Sequence, residues 1–121
     1  MSEQRRDSHY LGDIKEAMDR ILAYTAGLSY PQFLEDSKTQ DAVVRNLQVI
    51  GEAAKKLSVP LKLNSQHLPW KEMAGMRDKI VHDYFGINYD VVWTVSRQEV
   101  PTLLPKIEAL MREQADDDGE A

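Results

Sequence analysis

At 121 residues, with 42% hydrophobic and 29% charged side chains, the chain fits one globular domain with a modest core and lies outside the disordered and fibrous classes. It has no cysteine, which removes disulfides and thiolate chemistry. The net charge of −5 argues against a sequence-blind nucleic-acid binder. Four of the acids (Asp116, Asp117, Asp118 and Glu120) sit in the tail, and without them the balance is −1.

The N-terminus, MSEQRRDSHY, lacks the apolar run of a signal peptide, and no stretch approaches the ~20 apolar residues that span a membrane, so the expected location is the cytoplasm. In chain order the periodicity is helical almost throughout. Leu11, Ile14, Met18, Ile21, Leu22 and Thr25 recur at helical spacing, with Gly27 as the stop. SYPQFLED predicts a short helix capped by Ser29, with Pro31 in its first turn. A long helix is expected from Ser37 to Leu57, capped by Asp36 or Ser37, with Val43, Leu47, Ile50, Ala54 and Leu57 inward.

VPLKLNSQHLP breaks the pattern and reads as a loop. The next helix is expected from Pro69 to Phe85–Gly86, carrying Trp70, Met73, Ile80 and Val81. NYDVVWTV gives another helix capped by Asn88, and a last helix begins near Pro101 with Leu103, Leu104, Ile107, Leu110 and Met111 inward. Strand alternation is weak everywhere. The expected fold is an all-α bundle of four to five helices: one domain over residues 1–115, then a disordered acidic tail, 116–121. Long amphipathic helices in so small a domain favour packing against a second copy.

The stretch RDKIVHDYFG, Arg77 to Gly86, concentrates reactive side chains beside an apolar stripe. On an ideal helix Met73, Arg77, Ile80 and Tyr84 share a face, so Arg77 interrupts the stripe. Burying an unpaired guanidinium costs several kcal/mol, so Arg77 is expected to meet a carboxylate, a partner chain or a ligand anion. Asp78 and His82, four apart, share another face, where the carboxylate would orient the ring. Arg77 and His82 lie about 140° apart and do not converge within one helix. Gly75 costs about 1 kcal/mol against alanine inside a helix and marks either a close helix contact or a functional need.

MRDKIVHDYFGIN resembles the Arg-x4-His-x-Tyr signature of HEPN-domain toxins of the HepT type, the toxin half of the MNT–HEPN toxin–antitoxin pairs. FLEDSKTQDAVVRNLQVIGEAAKKL is similar to the family's long second helix, LPWKEMAGMRDKIVHDYFGINYDVVW to its motif helix and the segment after it, and VPTLLPKIEAL to its last helix. These blocks cover nearly the whole chain. The resemblance implies a metal-independent endoribonuclease without a cofactor, acting as a homodimer with the two motif helices lining a cleft at the interface. It makes Arg77 and His82 the catalytic pair, with Asp78 and Tyr84 supporting. Tyr84 matches the tyrosine that a partner nucleotidyltransferase antitoxin modifies with AMP.

These residue types suit RNA cleavage. The 2′-hydroxyl is the nucleophile, and the reaction needs a base, a cation for the charged phosphorane and an acid for the 5′-oxygen. Histidine titrates near neutrality and arginine grips phosphate oxygens in a fixed fork. Arg45 and Glu52 share a face of the long helix, and with Asn46 they are expected to support the dimer or the Arg77 region. His9 and His67 lack metal-ligand spacing, and Trp70 and Trp93 read as core. Two other readings compete: a non-catalytic helical partner that docks on a nucleotidyltransferase, and a nucleotide-binding module. The scattered glycines form no phosphate loop that would favour the second.

Overall fold

The structure is a computed structural model that describes residues 2–81 and 86–120, the side chains of 117–120 excepted. Helix α1 (Glu3–Thr25) starts where the Ser2 hydroxyl accepts the Arg5 N–H at 3.1 Å. It buries Leu11, Ile14, Met18 and Ile21, the expected stripe, and ends just before Gly27, whose φ of 76° lies in the left-handed region open to glycine. Helix α2 (Tyr30–Leu34) opens with a full capping box: Ser29 Oγ accepts the Gln32 N–H, and the Gln32 side chain accepts the Ser29 N–H. Helix α3 (Ser37–Lys56) is capped by Asp36, which accepts the Thr39 N–H at 3.0 Å. The expected stop of α1 near Gly27, the Ser29 cap of α2 and the expected bounds of α3 hold to within a residue or two, while α1 begins at Glu3, eight residues before the first residue of its expected stripe.

The stretch read as a loop contains a fourth helix, α4 (Val59–Leu63). Ser58 caps it by accepting the Leu61 N–H, and Pro60 sits in its first turn. The same Ser-x-Pro arrangement starts α2. The buried Asp7 carboxylate anchors this corner, accepting the Ser58 N–H at 2.8 Å and the Ser58 hydroxyl at 2.6 Å.

The expected helix from Pro69 to Gly86 is corrected in two ways. It divides at Gly75 into α5 (Trp70–Ala74) and α6 (Met76–Ile80), and it ends at Ile80. Val81 is extended and bridges antiparallel to Ile87, while the Asn88 N–H donates to the Ile80 carbonyl at 2.8 Å. These tertiary partners offer the backbone an alternative to another helical turn. Helix α7 (Tyr89–Thr94) then begins at the Asn88 cap and passes through a π-helical turn, Val95–Glu99, into α8 (Val100–Glu120). The two helices expected here are thus one continuous helical path. The wide turn fits the sequence: the Val100 N–H bonds to the Val95 carbonyl, and the next residue, Pro101, has no N–H to offer.

The result is the expected all-α fold, and no strand forms among the described residues. Helix α1 lies along α3 and against α8, and α5 and α6 cross α3. Gly51 allows this crossing. A Cβ there would lie 3.2 Å from Met76 Cβ and 3.3 Å from the Met73 carbonyl oxygen. The glycine that marks a close helix contact is therefore Gly51, while Gly75 marks the break. Phe33 is fully buried, its ring 5.1 Å from Trp93 and 6.2 Å from Tyr89, and locks α2 onto α7. Burial of such a ring contributes about 3 kcal/mol. No described helix is long and apolar enough to cross a membrane.

Candidate active site

Met73, Met76 and Ile80 are the buried stripe of α5 and α6. Arg77 is one residue past Met76, about 100° around the axis, and is exposed. The expectation that Arg77 interrupts the buried face is therefore corrected: the guanidinium needs no buried counter-charge. It makes no ion pair among the described residues.

Arg77 lines a groove of about 320 Å³ whose other walls are α3 and the first half of α1. Arg45, Glu52, Lys55 and Lys56 of α3 and Tyr10 and Asp13 of α1 share it. Arg45 and Glu52, seven apart on one face, do border the Arg77 region. Asn46 turns inward: it is buried and donates to the Ala42 carbonyl at 2.8 Å. The groove gathers four cations against two carboxylates, a net of +2 on a chain of net −5. Each carboxylate has a neighbour of its own: Glu52 lies 3.4 Å from Lys55, and Asp13 lies 3.5 Å from His9. Lys56 sits over the Tyr10 ring at 5.6 Å. Arg45, like Arg77, makes no ion pair among the described residues. The arrangement offers forked donors to phosphate-type oxygens.

Asp78 is exposed on α6 and does not border the groove. His82 and Tyr84 lie outside the described residues. The shared faces drawn on an ideal helix for Asp78 with His82 and for Arg77 with Tyr84 fall on these residues; α6 itself spans Met76–Ile80. The neighbouring Lys79 reaches Glu99 of the π-helical turn at 2.9 Å and ties α6 to the far side of the domain. His67 is exposed, and no cluster of three or more His, Asp or Glu placed to hold a metal occurs among the described residues. Trp70 is buried, its indole N–H donating to Ser65, and Trp93 is half-buried in the aromatic cluster of α2 and α7. Tyr10, Lys55 and Lys56 join the site only in the fold. The signal available in the sequence is the spacing from Arg45 to Lys56, eleven residues and so just over three whole turns of one helix.

The family model described as "Ribonuclease HepT-like" matches residues 14–110, most of the chain and all of the Arg77–Tyr84 motif. The chain belongs to the HepT-like ribonuclease family. Similar proteins agree in kind. "Probable ribonuclease HepT" of Thermococcus cleftensis is 41% identical over 109 residues, covering 90% of this chain and 99% of that protein. "Putative RNase MJ0127" of Methanocaldococcus jannaschii is 42% identical over 104 residues, 86% of each chain. "Putative RNase TTE0752" of Caldanaerobacter subterraneus is 35% identical over 105 residues, covering 87% of this chain and 94% of the relative. No solved structure matches. For a HepT-like ribonuclease, an exposed motif arginine beside a cationic groove is the feature to be explained.

Proposed function

We propose that this chain is the toxin of a toxin–antitoxin pair, a metal-independent endoribonuclease that uses Arg77 and His82. The observation that carries the reading is the family match running through the whole Arg-x4-His-x-Tyr motif, with Arg77 exposed, unpaired among the described residues and on a locally cationic groove. In this reading His82 takes the proton of the 2′-hydroxyl, whose oxygen attacks phosphorus. Arg77 holds the phosphorane oxygens. The bond from phosphorus to the 5′-oxygen breaks, and an acid protonates the leaving oxygen. The products are a 2′,3′-cyclic phosphate and a 5′-hydroxyl.

One protomer supplies a single motif histidine. A homodimer that sets two motif segments across a two-fold cleft supplies two and lets them divide the acid and base roles. Asp78, exposed on α6 directly after Arg77, is a supporting residue. Tyr84 is the modification site: its phenol oxygen attacks the α-phosphate of ATP on a partner nucleotidyltransferase antitoxin, and pyrophosphate leaves. The added AMP puts bulk and negative charge near Arg77 and competes with RNA for it.

The test is cleavage of a labelled RNA by purified protein in excess chelator, with end-group analysis. The expected result is cyclic-phosphate and 5′-hydroxyl ends from wild type and none from Arg77→Ala or His82→Ala. Mixing the two inactive variants tests the dimer: restored cleavage supports a shared cleft. Activity that needs added metal, or that survives both substitutions, refutes the reading.

A further inference from the structure

The groove extends well beyond Arg77. Arg45 and Lys56 lie eleven residues apart on α3, so their directions differ by only about 20° while their positions are separated by about 16 Å along the axis. A single phosphate or a mononucleotide cannot bridge that length; a run of consecutive phosphates can. Arg77 faces the same space from α6. Arg45 and Arg77 have no carboxylate partner among the described residues. The contact of Lys56 among the described residues is the Tyr10 ring, and the two groove carboxylates lie next to Lys55 and His9. Cations without carboxylate partners among the described residues, concentrated in one channel of an acidic chain, make a local positive field that attracts a polyanion.

We infer that Arg45 and Lys56 form an RNA-backbone track along α3, which holds consecutive phosphates of a single strand and delivers the strand to Arg77. The inference rests on the ribonuclease reading and adds to it the surface that positions the substrate. Arg45 and Lys56 are positioning residues: they grip phosphates away from the scissile bond and take no part in bond cleavage. The track explains how an acidic chain can hold RNA, because binding depends on a local net of +2 rather than on total charge.

The test compares full-length wild type with the double variant Arg45→Gln/Lys56→Gln. Binding is read by fluorescence anisotropy with a 2′-O-methyl oligoribonucleotide of about a dozen residues, which lacks the hydroxyl that cleavage consumes. The expected result is about tenfold weaker binding at low salt and a salt slope smaller by about 1.4, the share of two phosphate contacts on a single strand. With cleavable RNA, KM rises by a similar factor while kcat at saturation stays within about twofold. The charge-preserving pair Arg45→Lys/Lys56→Arg restores binding, which a packing role for these exposed side chains would not predict.

A double variant with wild-type affinity and salt slope overturns the track. If wild type itself cleaves RNA in that experiment, the ribonuclease reading stands and only the track falls. If wild type neither binds nor cleaves, both fall. Unchanged RNA affinity together with a change from dimer to monomer in sedimentation assigns the groove to the contact between copies and overturns the inference.

Discussion

Replacing Gly51 with valine tests the helix crossing that positions Arg77. A Cβ at Gly51 would lie 3.2 Å from Met76 Cβ, inside the ~3.5 Å optimum for two carbons, and 3.3 Å from the Met73 carbonyl oxygen. Neither neighbour is a flexible side-chain end, so the strain must be relieved by moving α5 and α6 away from α3. Alanine brings that clash but recovers about 1 kcal/mol of helix propensity, and the two effects nearly cancel. Valine adds two methyl groups to the same contact and recovers less propensity. The net loss expected for Gly51→Val is about 2–3 kcal/mol. For a domain of this size that lowers Tm by roughly 10 °C.

The assay is calorimetry with urea unfolding of Gly51→Ala and Gly51→Val beside wild type. RNA cleavage should fall further than the folded fraction explains, because the displaced segment carries Arg77, and a misplacement of about 1 Å can cost 10²-fold. A valine variant as stable and as active as wild type would refute the close crossing.

Three further outcomes are expected from the packing. Asp7→Ala removes the acceptor of both Ser58 hydrogen bonds at a buried corner and should cost about 2–3 kcal/mol in urea unfolding. Phe33→Ala empties a fully buried aromatic site between α2 and α7 and should cost about 3–5 kcal/mol by the same measurement. Asp36 accepts the Thr39 hydroxyl and N–H, and these bonds hold its carboxyl below the usual carboxylate range. Its contribution is therefore present above the unfolded pKa of about 4 and is lost as pH falls through the folded value. The Tm gap between wild type and Asp36→Ala should be open at neutral pH and close in acid; a gap that persists unchanged in acid contradicts the cap's charged form.

The long helices are legible because their causes are local. The α1 and α3 stripes repeat at helical spacing, and Asp36, Ser29 and Asn88 cap the helices that begin after them. The α4 helix has the same Ser-x-Pro start as α2, but Val59 and Leu63 of α4 are exposed, so no inward stripe announces it. The end of α6 is not legible. It depends on Val81 pairing with Ile87 and on Asn88 bonding back to Ile80, contacts that no helical pattern encodes. The motif reveals Arg77, but a stripe drawn without Met76 puts it on the wrong face. Gly51 reads as ordinary helix until the crossing of α5 and α6 gives its missing side chain a reason. The groove joins residues 10, 45, 56 and 77, and only the tertiary fold brings these together. Arg45 and Glu52 can be paired on one face from sequence, but their relation to Arg77 cannot.

The most direct measurement is growth on inducing this chain alone, wild type against His82→Ala, with total RNA read for new 5′-hydroxyl ends. Arrest and new ends are expected with wild type and neither with the variant at equal protein level. Well-folded wild type that carries no AMP on Tyr84, causes no arrest and leaves no new ends would contradict the ribonuclease reading and favour a docking partner without catalytic activity.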